Sequence, residues 1–133
     1  MANVNKHHGT INLMDEGHVV EKIVYDFDKD AGATGALTLF TAGCNMVVHK
    51  CIAKVQTACT SGGSATVAVC DNGAGAEFMA ATAVASLTAN AIIAGVPSAG
   101  GVYLASGSTV DVLIGTAALT AGKIEFEFIL SKF

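Results

Sequence analysis

Apolar and polar residues alternate with a period of two along several stretches of this chain, the signature of half-buried β-strands. From His18 the residues read H-V-V-E-K-I-V-Y-D-F-D, with Val19, Ile23, Tyr25 and Phe27 on one parity. Lys22, Asp26 and Asp28 take the other, together with Val20 and Val24. A turn at Asp30, Gly32 and Gly35 leads to a short alternation at Leu37, Leu39 and Thr41. Val47 to Cys59 reads as a longer strand. Lys50, Lys54 and Gln56 fall on its polar side, and Val47, His49, Cys51, Ala53, Val55 and Thr57 on the other.

The turn composition Thr60-Ser61-Gly62-Gly63-Ser64 predicts a hairpin between that strand and Ala65–Cys70. Asp71-Asn72-Gly73-Ala74-Gly75 is the next turn. Further strands are predicted at Val102–Ala105 and Thr109–Ile114. A turn at Thr120-Ala121-Gly122 then precedes a closing strand in which Ile124, Phe126, Phe128 and Leu130 face inward. Phe78 to Ala94 mixes helix-favouring Ala with β-branched Thr82, Val84, Thr88, Ile92 and Ile93. It reads as a short helical turn or irregular crossing followed by a strand.

Strands joined by Gly-, Ser- and Thr-rich turns every eight to twelve residues predict an all-β fold. The architecture expected is a single antiparallel β-sandwich or jelly-roll-like barrel over residues 18–133, with room for one short helix. The polar residues 1–17 are expected to form an N-terminal arm.

Composition narrows the function classes. The chain has 133 residues, 52% hydrophobic and 14% charged, against a usual charged share of about 25%. All seven basic residues are Lys, and the net charge is −4. Phosphate and base-edge recognition lean on Arg forks and basic patches, so direct nucleic-acid binding is not expected. No apolar run approaches the roughly 18 residues of a membrane helix, and no basic-then-apolar leader opens the chain. The expectation is therefore a soluble product of the cytoplasm, with no membrane partner.

Charge placement says more than charge amount. Of the 18 charged residues, nine lie between Lys6 and Asp30 and four between Lys123 and Lys132. Only Lys50, Lys54, Asp71, Glu77 and Asp111 fall between Ala31 and Gly122. So few charges leave the middle of the chain weakly protected, and burial against other chains is the simplest remedy.

No arrangement of residues predicts catalysis, a cofactor or a metal. Cys44, Cys51, Cys59 and Cys70 are separated by six, seven and ten residues, which is not zinc spacing. They are expected to be free thiols acting as small hydrophobes. His7 and His8 are adjacent and would point to opposite faces of a strand. His49-x-Cys51 offers two same-face ligands without a matching second pair. The D-x-D-x-D run Asp26, Asp28, Asp30 lacks the Gly and Glu of a calcium loop, having Ala31 and Leu37 at those positions. Glu125 and Glu127 read as outward charges on a terminal strand. No G-x-S-x-G or phosphate-binding loop occurs. The absence of Trp, with only Tyr25 and Tyr103 as tyrosines, gives weak support to a sugar-stacking platform.

The run V-Q-T-A-C-T-S-G-G-S-A-T-V-A-V from Val55 to Val69 resembles small virion proteins of tailed bacteriophages. So does T-V-D-V-L-I-G-T-A-A-L-T-A-G-K-I from Thr109 to Ile124. The resemblance lies in turn chemistry and strand order over about residues 47–133; Cys59 and Cys70 stand where an aromatic residue and a Gly are expected. It implies a capsid decoration (cement) protein, a homotrimer at three-fold or quasi-three-fold axes that bridges major capsid protein subunits on the outer surface of the virion. Assembly would occur in the host cytoplasm. The other reading is a different virion module, in a tail or fibre or as a glycan-binding decoration. Candidate interface residues are Asn5, Lys6, His7, His8, Ile11 and Leu13 in the arm, and Leu130 and Phe133 at the C-terminal end. The low-charge stretch from Ala80 to Gly101 is a further candidate.

Overall fold

The computed structural model describes residues 9–11, 13, 17–95 and 101–133, which form a β-sandwich of two packed sheets. The front sheet has the order β2 (Val19–Asp26), β10 (Leu119–Lys132), β4 (Met46–Ser61), β7 (Ile92–Ala94), with β8 (Val102–Leu104) also pairing with β4. The back sheet runs β1 (Gly9–Ile11), β3 (Gly35–Ala42), β9 (Thr109–Gly115), β5 (Thr66–Asp71), β6 (Ala74–Ala83). Pairings are antiparallel except β1 with β3, which is parallel.

The core is the set of inward parities. From β10 come Ile124, Phe126, Phe128 and Leu130, all at 0% exposure as their alternation predicts. The back sheet contributes Phe40, Val67, Val69, Val110, Val112 and Ile114. Phe40 of β3 meets Phe128 of β10 edge to face, ring centres 5.3 Å apart, joining the two sheets through an aromatic pair. Ile11 and Leu13 are also buried in this core.

Five local readings of the sequence need correction. β4 and β5 are not a hairpin, because β4 pairs with β10 in the front sheet and β5 with β9 and β6 in the back one. The Gly/Ser turn between them carries the chain across the sandwich. Thr120-Ala121-Gly122 is not a turn but part of β10, with register shifts against β4 on both sides of Ala121. Those shifts absorb the glycine without ending the strand.

The parity of β4 also changes along its length. Cys51, Ala53 and Val55 face inward, as predicted, but at the start Met46 and Val48 are buried instead of Val47 and His49. A register shift opposite Ile129 and Leu130 inserts one residue and flips the pattern. His49 and Cys51 therefore do not share a face. The alternation expected to run through Phe27 and Asp28 stops at Asp26, where β2 ends and a single helical turn, α1 (Phe27–Asp30), follows. Asp26 caps it, accepting from the Asp28 N–H at 3.0 Å, while Asp30 Oδ2 accepts from the Asp26 N–H at 3.0 Å. Finally, the short helical turn expected between Phe78 and Ala94 is present at Val84–Ser86 with strand β7 after it, but Phe78–Ala83 before it is strand, the continuation of β6.

Tyr25 ties α1 to the core. Its ring is buried and its hydroxyl donates to the Ala31 carbonyl at 2.6 Å. Burial first, then the neighbouring Cys59, Asp30 and Asp26, push its pKa up to about 12, so the hydroxyl remains a donor.

Gly122 marks where the β10 distortion is obligatory. Its φ is +144°, and a Cβ there would stand 2.6 Å from Cys59 Sγ. Gly122→Ala is expected to destabilise the protein by about 1–3 kcal/mol through overpacking, read as a lowered urea midpoint. Gly62→Ala, where a Cβ meets nothing within 4 Å, is the control and should change stability by no more than about 0.5 kcal/mol.

Candidate interaction surface

The outward parity of the front sheet forms a continuous face whose rows follow from the register. Lys123 stands opposite Asp26. Glu125 lies between Val24 and Lys54, and Lys54 is opposite Ile92. Glu127 lies between Lys22 and Ile52. Ile129 lies between Val20 and Lys50. Ser131 is opposite Val47, which in turn faces Tyr103 of β8. Lys54 Nζ sits 2.7 Å from Glu127 Oε1, with side chains 38% and 19% exposed. A pair of this exposure contributes at most about 1 kcal/mol, and chiefly holds register.

Opposite charges thus occupy the middle rows and leave little net field there. One end of the face is different. The exposed large hydrophobic residues among those described are Val20 at 44%, Ile92 at 71%, Tyr103 at 49% and Phe133 at 76%, and all lie on this side of this sheet. Three of them gather at the end of the sheet where β10 finishes. The Tyr103 and Phe133 rings meet edge to face with centres 4.8 Å apart. The Phe133 N–H donates to the Asn45 carbonyl at 3.0 Å, which fixes the last residue in place. Beside them His18 and His49 bring their rings to 4.3 Å, and His49 Nε2 lies 2.7 Å from Ser131 Oγ. Exposed aromatic residues held in place on a rigid sheet are the usual anchors of a protein interface.

The candidates named from sequence separate clearly. Phe133 is exposed on this corner. Leu130 is buried at 0%, and Ile11 and Leu13 are buried at 2% and 7%, so these three side chains pack inside their own chain. Asn5, Lys6, His7 and His8 lie outside the described residues. Of the stretch from Ala80 to Gly101, residues 96–100 also lie outside them, while Ile92 contributes to the face. Val20, Tyr103 and His18 were missed, although the outward parity of Val20 was visible in its shared parity with Lys22.

Two polar features lie elsewhere. A cleft of about 350 Å³ opens beside α1, lined by Asp26, Phe27, Asp28, Thr57, Thr120, Ala121, Gly122 and Lys123. On the back sheet, the β5–β6 hairpin turns through Asn72 and Gly73, with φ of 51° and 85°, as a two-residue Asn-Gly turn requires. Its tip packs over Asp111, which is 4% exposed and accepts from Thr109 Oγ1 at 3.1 Å. Asp71 is beside it, its N–H donating to Glu77 Oε1 at 3.2 Å. Burial, and then the Glu77 carboxylate, raise the Asp71 pKa above the ordinary carboxylate value. The three buried thiols are chemically quiet. Burial pushes the pKa of Cys51 up to about 12 and those of Cys59 and Cys70 up to about 11. Among the described residues no group of three or more His, Cys, Asp or Glu side chains is arranged to hold a metal ion.

The fold is similar to that of a chain from the capsid of Ralstonia phage GP4, with a TM-score of 0.66 and 18% sequence identity over 92% of this chain and 90% of that one. No protein-family model and no curated protein matches the sequence.

The acidic hairpin implies a pH dependence. A raised carboxyl pKa means the folded state holds the proton more tightly than the unfolded chain. The stabilising contribution is therefore complete below the unfolded value, about 3.9, and is lost as pH rises through the folded one. Asp71→Asn is expected to raise the urea midpoint at pH 7. That gain should shrink towards zero as unfolding is followed down to about pH 3.5.

Proposed function

We propose that this chain is a structural protein of a tailed-phage virion that decorates the capsid and bridges major capsid protein subunits from outside. The observation that carries the reading is the similarity of fold, over 92% of the chain, to a chain from a phage capsid. The aromatic corner of the front sheet supports it from an independent direction. A rigid sandwich with Tyr103 and Phe133 exposed at one edge is suited to docking on a large, fixed partner rather than to turning over a small one.

In this reading the front face meets the capsid. Tyr103, Phe133 and Val20 supply apolar contact, and the balanced Lys and Glu rows set orientation without strong long-range attraction. Asn5, Lys6, His7 and His8 contact a neighbouring subunit in this reading. The chain assembles as a homotrimer, so each copy need bind only modestly. Three linked contacts raise the effective concentration and give an attachment stronger than any one contact. The task is geometric: cross-linking the shell against the pressure of packaged DNA, with no bond made or broken.

The test is to mix the purified protein with expanded, undecorated capsids and image them by cryo-electron microscopy. Added density at three-fold or quasi-three-fold positions is expected; bare axes at saturating protein would overturn the decoration reading. The double variant Tyr103→Ser/Phe133→Ser should keep its urea midpoint, because both side chains are exposed, and lose attachment by tenfold or more. Wild-type attachment by that variant would remove the front corner as the docking surface.

A further inference from the structure

We propose that His18 and His49 form a two-imidazole clamp for a divalent transition-metal ion, of which Zn²⁺ is the type, on the apolar corner of the front sheet. The two histidines come from different segments of the chain. His18 immediately precedes β2, and His49 sits in β4 where the register shift turns it outward. β10 runs between them, so the pair is assembled only by the fold and has no signature in sequence spacing. Their ring centres are 4.3 Å apart and the planes are inclined by 42°. Two nitrogens on one zinc ion, at Zn–N distances of about 2.0–2.1 Å, must come within roughly 4 Å of each other. Rings already this close reach that geometry by rotation about their side-chain bonds, and the exposed His18 is free to make the adjustment.

Ser131 supplies the outer-shell partner that metal-binding histidines ordinarily have. Its Oγ lies 2.7 Å from His49 Nε2. With the proton on Nε2 donated to Ser131, the Nδ1 lone pair of His49 is left as the metal donor. Imidazole donors select Zn²⁺, Ni²⁺ and Cu²⁺ over the hard cations Mg²⁺ and Ca²⁺. With two protein ligands, water completes the coordination shell in the isolated chain, and binding is reversible. The site is separate from the acidic α1 cleft and from the buried thiols, and it does not depend on the capsid reading.

The experiment is a titration of the full-length protein with ZnCl₂ under reducing conditions, following the histidine side-chain nitrogens by ¹H–¹⁵N NMR and the affinity by calorimetry. The nitrogens of His18 and His49 should shift together and saturate at one equivalent. His18→Ala should weaken Zn²⁺ binding by at least tenfold, and the His7→Ala/His8→Ala double variant should retain it. MgCl₂ should produce no shift. Zn²⁺ that moves only His7 and His8, or that binds the His18→Ala variant as tightly as the wild type, would overturn the proposal. The readout is metal binding by the isolated protein, so its failure leaves capsid attachment untouched.

Discussion

The alternation of Ile124, Phe126, Phe128 and Leu130 along β10 is the constraint on which the rest of this structure depends. Every one of these side chains is fully buried. β10 pairs along its whole length with β4 on one side and from Lys123 to Leu130 with β2 on the other, so it is a central strand of the front sheet. A period of two ties the two faces together. Burying those four residues commits Lys123, Glu125, Glu127, Ile129 and Ser131 to the opposite side. The outer face therefore follows directly from the core: once the inward set is chosen, a charged middle and an apolar end are carried outward by the same backbone.

The parts of the fold that were legible in the sequence are those where this period holds without interruption. β9, the Ile124–Leu130 part of β10 and the Asn72-Gly73 turn were readable because alternation and turn chemistry agree there. The misreadings cluster where a residue is inserted. At His49 the bulge in β4 reverses the parity, so a residue that counts as inward by spacing ends beside solvent. In β3 the shift between Thr38 and Phe40 lets Leu39 and Phe40 both be buried, which no strict alternation predicts. Partner choice between strands was equally hidden. The Gly/Ser turn at residues 62–64 looks like a hairpin turn, but local turn composition carries no information about which sheet receives the next strand.

The surface was less legible than the core for a related reason. Phe133 could be named because it ends the sequence, whereas Tyr103 acquires meaning only when β8 docks on β4 and brings it beside Phe133. Likewise, His18 and His49 are 31 positions apart in the chain and meet at 4.3 Å across a strand. Leu130, Ile11 and Leu13 illustrate the converse. Apolar residues near a chain end suggest an interface, but here all three are part of the chain's own core.

The uneven distribution of charge on the outer face has a mechanical consequence for any partner. Lys22 and Glu127 face each other, as do Lys54 and Glu125, so the middle of the face projects little net charge. Desolvating such rows is unfavourable unless the partner supplies matching groups, and paired surface charges give little back. The apolar end has no such penalty to overcome. Tyr103 and Phe133 already hold each other, and the Phe133 backbone is tied to Asn45, so little side-chain entropy remains to be lost on contact. In the proposed docking, affinity is thereby concentrated at one corner while the charged rows select orientation. A rigid body that gripped by a corner and was aligned by its face would repeat identically around a symmetric shell, because no part of such a contact requires the sandwich itself to deform.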